Sequence, residues 1–427
     1  MEIEHILSDV GAYMKDKNST HVFTPFDDEV PVSGTRFDRM DIVQLVNVAL
    51  SGWVTEGMYC KEFARKLCKF TGIRHAVLCN SGSSANLLAM MALKETYKVP
   101  DKSLIATTAL SFSTTVAAIL HAGFIPFFVD SNLNTLNPNN DDLILLSNDP
   151  SVKGLIITHT LGFPIDLKEV AEAYHRQGKF VIEDCCDALG SFVGEDHVGT
   201  NGDVATFSFF PAHHISTGEG GAVLMNDGRL FDIVRSYSNW GRDCWCKPGE
   251  ENTCKKRFDQ DFPKLPEHYD HKYIFTRAGY NLQMTDLQGA LGSSQMDRIG
   301  EITIKRRNNY DYYKRNLYTL PKFKALFGII ENGFSFSPFG FPINCLKVKR
   351  DKIVRFLEDR NIRTRPIFAG NITRQPMLQH INYAQKNGLD GANFVMENTF
   401  WIGCHPELRN SQLAFVVDSF DEFLEMR

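Results

Sequence analysis

The 427-residue sequence predicts an α/β fold: a large, mostly parallel sheet covered by helices, then a smaller C-terminal α/β domain. Three observations predict it. Short apolar runs alternate with helix-period stretches over the first two-thirds of the chain. The length suits two domains around one large core. The alternation stops at 244–270, a polar stretch rich in Cys, Lys, Pro and Asp, and a new mixture of strands and helices follows it.

Taken in order, residues 76–80 read as a strand and 83–94 as a helix. Residues 104–108 read as a strand and 114–121 as a helix. Strands follow at 127–130 and 155–160. Residues 167–177 have helical spacing with Lys168, Glu169 and Glu172 outward, and 180–184 and 204–210 are strands again. In such sheets ligands sit at the carboxyl ends of the strands. Residues 244–270 read as an insertion or long loop. One long helical stretch is expected from 285 to about 317, with Asp286 acting early as a helix-favouring acid. The smaller domain should hold a strand at 340–347 and helices at 350–359 and 420–426. The expected division is 1–300, carrying the cofactor site with the loop near 244–270, and 301–427. No internal repeat or low-complexity tract is present.

Net charge is −5, so no basic surface invites nucleic acid. No run of 18 apolar residues suggests a membrane span. The N-terminal MEIEHILSDVGAYMKDK carries acids and lacks a long apolar core, so a secretory signal is not expected. A cytoplasmic location follows as an expectation, with the ten cysteines as thiols.

Residues 80–86, Asn-Ser-Gly-Ser-Ser-Ala-Asn, join a strand to a helix. Small residues there let backbone approach a phosphate, and the helix N-terminus offers free N–H groups; Ser is also a common N-cap. Glu183-Asp184 closes a strand. Phe112 follows Ala-Leu-Ser. Residues 208–223 read SFFPAHHISTGEGGAV, and Asn281 stands in GYNLQMTD.

Together these resemble the sugar aminotransferase (DegT/DnrJ/EryC1/StrS) family. The resemblance runs from about Gly52 to the end and implies an aspartate aminotransferase-like architecture, fold type I of the pyridoxal phosphate (PLP) enzymes. It implies a phosphate turn at Gly82, Ser83 and Ser84, with Ser208 as a further phosphate ligand. Phe112 would lie on the cofactor face or be a core ring. Asp184 would keep the pyridine nitrogen protonated. Asn281 would reach the phosphate of a neighbouring subunit, hence a homodimer.

The family carries a lysine five residues after the serine, and here that residue is His213; no lysine occurs between Lys179 and Lys247. Lysine holds PLP as a Schiff base. Imidazole cannot, but it moves protons near neutral pH. The cofactor is then best used as pyridoxamine 5′-phosphate (PMP).

Between Cys186 and Cys244 lie 57 residues; Cys246 follows after one and Cys254 after seven more. Four such thiolates suit zinc or an iron–sulfur centre, and spacing alone does not choose. With His213, this spacing resembles one branch of the family, the CDP-4-dehydro-6-deoxy-D-glucose 3-dehydrases. The agreement includes EDCCDALG (183–190), PAHHI (211–215), GNITRQP (370–376) and TFWIG (399–403). That branch implies PMP, a 2Fe-2S cluster on Cys186, Cys244, Cys246 and Cys254, and an NADH-dependent flavin and iron–sulfur reductase as partner. The substrate would be a nucleotide-linked 4-keto-6-deoxyhexose, in 3,6-dideoxyhexose and lipopolysaccharide O-antigen synthesis. His213 would move the proton that expels the C3 hydroxyl. Arg365, Arg374, His271 and Tyr280 are candidates for the diphosphate. The rival readings are a cluster-free dehydrase regenerated by glutamate, and a regulatory protein with structural zinc.

Overall fold

The structure is a computed structural model that describes residues 3–17, 22–34, 37–246, 248–330, 333–386 and 388–426. The extreme ends of the expected domains, and Lys247 in the expected loop, lie outside these residues.

Eight strands form the large sheet. In spatial order they are His75–Cys79, Gly221–Met225, Val204–Ser208, Phe180–Asp184, Val152–Thr158, Leu104–Thr108, Ile125–Val129 and Ala384–Gln385. All neighbours are parallel except Gly221–Met225, which runs antiparallel to both of its partners. The central strands are apolar and nearly wholly buried, as a sheet covered on both faces requires. The expected strands and helices of this region are present within a few residues. The antiparallel strand Gly221–Met225 was not expected. It fits because Gly221 lets the phosphate turn lie against it: a Cβ there would stand 2.3 Å from the Ser81 carbonyl oxygen.

The helix Gly82–Thr96 begins where its sequence says it should. Ser81, extended at φ −167°, accepts the Ser84 N–H at 3.1 Å. Ala85, Leu88, Ala89, Ala92 and Leu93 are buried on one side of it.

The single helix expected from 285 to 317 is two, Asp286–Met296 and Ile299–Thr319. Asp297 and Arg298 at the break are held by other helices: Arg298 pairs with Asp38 (3.0 Å) and Asp41 (2.6 Å), and Asp297 with Lys66 (2.7 Å). Thr285 caps the first helix through a capping box with Gln288. Asp286 is the acid of the first turn, as expected, and also accepts the Cys60 N–H of the helix Met58–Thr71 at 2.7 Å.

A second sheet holds Phe327–Ile329, Gly340–Cys345, Thr399–Gly403 and Thr364–Arg365, with helices Arg350–Glu358 and Asn410–Glu425 beside it. The N-terminal stretch packs on this layer: Val30 bridges Ile362, and Gly403 has no room for a side chain because Pro31 and Val32 lie on it. Residues 244–270 contain no regular helix or strand among those described. None of the described helices is long and apolar enough to cross a membrane.

Candidate active site

The carboxyl ends of the parallel strands open onto a cavity of about 470 Å³. Gly82, Ser83, Phe112, Asp184, Ser208 and His213 all line it. Cys186, Asp187, Leu161, Phe210, Phe339, Arg365, Phe368 and Trp401 complete much of the wall. No lysine is among the described lining residues.

Asp184 ends its strand at the cavity floor and is almost fully buried. Its Oδ2 accepts from Asn86 Nδ2 and from Thr115 Oγ1, both at 2.9 Å, and its Oδ1 from the Cys186 N–H at 3.2 Å. Thr206 Oγ1 donates to Asn86 Oδ1 at 2.6 Å, so the amide that supports Asp184 is itself held. Sequence reading passed over Asn86 and Thr115. The available signal was a polar residue on the buried side of an otherwise apolar helix.

The neighbouring Glu183 points the other way. It accepts from the N–H groups of Gly199, Asn201 and Gly202 and from His159 Nε2 at 3.1 Å. Burial pushes its pKa up, but the His159 bond and those amides outweigh it and hold the carboxyl below its ordinary value. His159 accepts the Ile165 N–H at Nδ1, which fixes its other nitrogen as the donor. This group is structural support behind the sheet.

At the phosphate turn the cavity forms a hollow lined by Gly82, Ser83 and Ser208, and the turn packs too closely there for a side chain: a Cβ on Gly82 would sit 2.5 Å from Ser208 Cβ and 3.1 Å from Cys186 Sγ. Ser83 Oγ donates to Thr114 Oγ1. Ser84 does not line the cavity; Ser81 Oγ donates to its hydroxyl at 2.9 Å and accepts its N–H, so it completes the cap. Phe112 is 51 % exposed, too open for a core ring, and presents itself to the cavity edge-on to Phe368. Asn281 is exposed and lies outside this cavity.

His213 stands on the loop after Ser208, its ring 5.2 Å from that of Phe339. Its Nδ1 is 3.4 Å from Asp187 Oδ1, in no hydrogen bond. Burial and then the Arg306 guanidinium push the imidazole down to about 3, so it is neutral. Burial and the adjacent Asp184 charge push Asp187 up to about 8. A neutral imidazole beside a group able to become an anion can take up a proton and be stabilised once charged. Leu161, across from Asp187, is held in the left-handed region at φ 51°. A bulky residue adopts that only where its surroundings impose it.

The four candidate cysteines line two different cavities. Cys244, Cys246 and Cys254 line one small cleft with His271. Cys186 instead lines the cofactor cavity. Among the described residues, the only three Cys, His, Asp or Glu groups within 4.8 Å of one another are His159, Glu183 and Cys185. No three of the four thiols therefore come close enough to hold a single ion here. Two of them have other partners: Cys246 Sγ meets Thr253 Oγ1 at 3.0 Å, and Cys254 Sγ lies 3.7 Å from His271 Nδ1. His271 Nε2 is 2.7 Å from Asp243 Oδ2. Of the four diphosphate candidates only Arg365 reaches the cavity. Arg374 pairs with Glu397, and His271 is buried at the cysteine cleft.

Comparison with known proteins defines the class. The model of the DegT/DnrJ/EryC1/StrS aminotransferase family matches residues 36–421, and the chain belongs to that family. Its architecture is the aspartate aminotransferase-like fold, type I. Among its relatives, the lipopolysaccharide biosynthesis protein RfbH of Salmonella typhimurium is 40% identical, over 98% of this chain and 97% of that protein. The dTDP-4-dehydro-2,6-dideoxy-D-glucose 3-dehydratase of Saccharopolyspora spinosa is 39% identical, over 99% and 92%. A solved structure of E. coli GDP-4-keto-6-deoxy-D-mannose-3-dehydratase with bound hydrated PLP superimposes with a TM-score of 0.82. It is 25% identical and covers 93% of this chain and 100% of that one.

The residues present fit the PLP-type cofactor of this family. A hollow at a helix N-terminus suits a phosphate, a supported buried carboxylate lies at the strand ends, and an open aromatic ring stands at the rim. Of the four cysteines, Cys186 lines this cavity and the other three line the small cleft with His271.

Proposed function

We propose that this protein is a PMP-dependent 3-dehydrase acting on a nucleotide-linked 4-keto-6-deoxyhexose. One observation carries the reading: His213 shares a lysine-free cavity with Asp184 and the phosphate hollow. The two relatives named 3-dehydratase, one of dTDP-linked and one of GDP-linked sugars, support the reaction class. CDP-4-dehydro-6-deoxy-D-glucose is the substrate we favour.

When bound, PMP supplies an amine for the sugar ketone and a ring that accepts electrons. The chain does the rest. Gly82, Ser83 and Ser208 hold the phosphate, and Phe112 covers one face of the ring. Asp184, fixed by Asn86 and Thr115, keeps a proton on the ring nitrogen. His213, neutral at rest, takes a proton at the cofactor's C4′ carbon and delivers one to the departing oxygen at sugar C3. Asp187 stabilises the imidazolium in between. Phe210, Phe339, Phe368 and Trp401 exclude water and accept a sugar lacking its 6-hydroxyl, while Arg365 meets the diphosphate. Asn281 acts across a homodimer.

A 3-deoxy product needs two electrons beyond this. The spacing of Cys186, Cys244, Cys246 and Cys254 supports a 2Fe-2S centre fed by an NADH-dependent flavin and iron–sulfur reductase. Cys186 lines the cavity while Cys244, Cys246 and Cys254 line a different cleft, so no step is routed through the cluster. The separation of Cys186 from the other three favours a second reading, a cluster-free dehydrase that regenerates PMP from glutamate. The visible spectrum of anaerobically purified protein separates them. A brown protein bleached by dithionite supports the cluster. A colourless one that converts PLP to PMP with glutamate supports the second reading.

A further inference from the structure

Arg306 is a fully buried cation whose charge helps keep His213 neutral but whose hydrogen bonds the catalytic reading leaves unused. It sits on the helix Ile299–Thr319 and does not line the cavity. No described carboxylate forms an ion pair with it. Its guanidinium instead donates to three backbone carbonyls: His213 at 3.0 Å, Phe339 at 3.2 Å and Pro338 at 3.3 Å.

Burying a cation is costly unless hydrogen bonds compensate, and a planar guanidinium can brace several acceptors at fixed angles. The three carbonyls chosen have one thing in common. His213 is the residue at the lysine position. Phe339 carries the ring packed on His213, lies 5.4 Å from the Trp401 ring, and lines the same cavity. Pro338 enters the strand Gly340–Cys345 of the second sheet. Arg306 thus ties the loop bearing His213 to the facing wall, from behind both.

We propose that Arg306 is a positioning residue for His213: its three carbonyl bonds set how far residue 213 reaches toward the cofactor. This rests on the reading of His213 above, and its test is chosen to separate the two.

The probe is PLP added to the H213K protein, where a lysine in range forms a Schiff base with the aldehyde. Borohydride trapping and mass analysis of the peptide containing residue 213 give the rate of attachment. H213K should label at that peptide. H213K with R306M should label about 100-fold more slowly, the scale expected for a displacement of about 1 Å. H213K with R306K, which keeps the charge and braces fewer carbonyls, should fall between. Equal rates in all three overturn the positioning role while leaving residue 213 at the cofactor. Failure of H213K alone to label overturns the reading of residue 213, and this proposal with it. Circular dichroism reports folding of each variant. If R306M does not fold, R306K decides, and an unchanged rate with R306K overturns the proposal.

Discussion

Asn86 Nδ2 donates to Asp184 Oδ2 at 2.9 Å, and Thr206 Oγ1 holds the far side of the Asn86 amide at 2.6 Å. The carboxylate at the strand end is therefore set by a second residue, which is itself held in place and lines the same cavity. N86A and T115A should each lower kcat about tenfold with little change in KM, about 1.4 kcal/mol for a supporting bond lost. Because they share one oxygen, the double variant should deviate from additivity. D184N should abolish turnover. Steady-state kinetics on the four proteins tests this, and an active D184N would remove Asp184 from its role.

The hollow at Gly82 makes a second prediction. A methyl group there would press on Ser208 Cβ at 2.5 Å, inside any real contact. G82A should weaken PMP binding at least about tenfold and, because the methyl group presses on Ser208 in the protein itself, lower the apo-protein's stability by roughly the 1–3 kcal/mol that overpacking costs. Fluorescence titration with PMP measures it; unchanged affinity would place the phosphate elsewhere.

Acid should destabilise the fold through buried imidazoles. Burial pushes His197 down to about 4 and His405 to about 3, and His214 well below its ordinary value. Below the ordinary value of about 6.5 the unfolded chain binds protons that the native one refuses, so stability is lost as pH falls toward 4. Each imidazole adds a slope of about 1.4 kcal/mol per pH unit. Asp187, raised in the native state, works in the opposite direction, so the informative quantity is a difference. H405Q should show a shallower acid decline than wild type in denaturant melts from pH 7 to 5. Parallel curves would mean that His405 is not neutral in the native state.

Much of the fold and part of the site were legible because their signals are local. The strand–turn–helix at 80–86, the strand ending in Glu183-Asp184 and the run from Ser208 to His213 are contiguous patterns. What was illegible depends on tertiary partners. Gly300 beside the break at Asp297-Arg298 is by itself a weak signal, and the ion pairs with Asp38, Asp41 and Lys66 that hold those two residues depend on tertiary partners. Arg306 sits in a run of charged helix residues and looks like solvent-facing surface until three carbonyls are seen around it. Ser84 matched a phosphate motif but is spent on the helix cap. The cysteine spacing resembles one branch of the family, but spacing in sequence does not say which cavity each thiol lines, and Cys186 lines a different one from the other three.

Iron content decides that last point. After anaerobic reconstitution with iron and sulfide, C186S, C244S, C246S and C254S should each hold far less iron than wild type, and H271N should hold as much. Full iron in C186S with loss in H271N would assign the fourth position to the imidazole that faces Cys254.

The most direct measurement follows the oxygen at C3. CDP-4-keto-6-deoxyglucose labelled with ¹⁸O at that position is incubated anaerobically with PMP and either wild-type or H213N protein. Mass spectrometry should show the label leaving the sugar with wild type, only in the presence of PMP, and about 10²–10⁴-fold more slowly with H213N. Label retained while PMP is consumed to give an amino sugar would make the protein a transaminase despite its histidine, and would contradict the dehydrase reading outright.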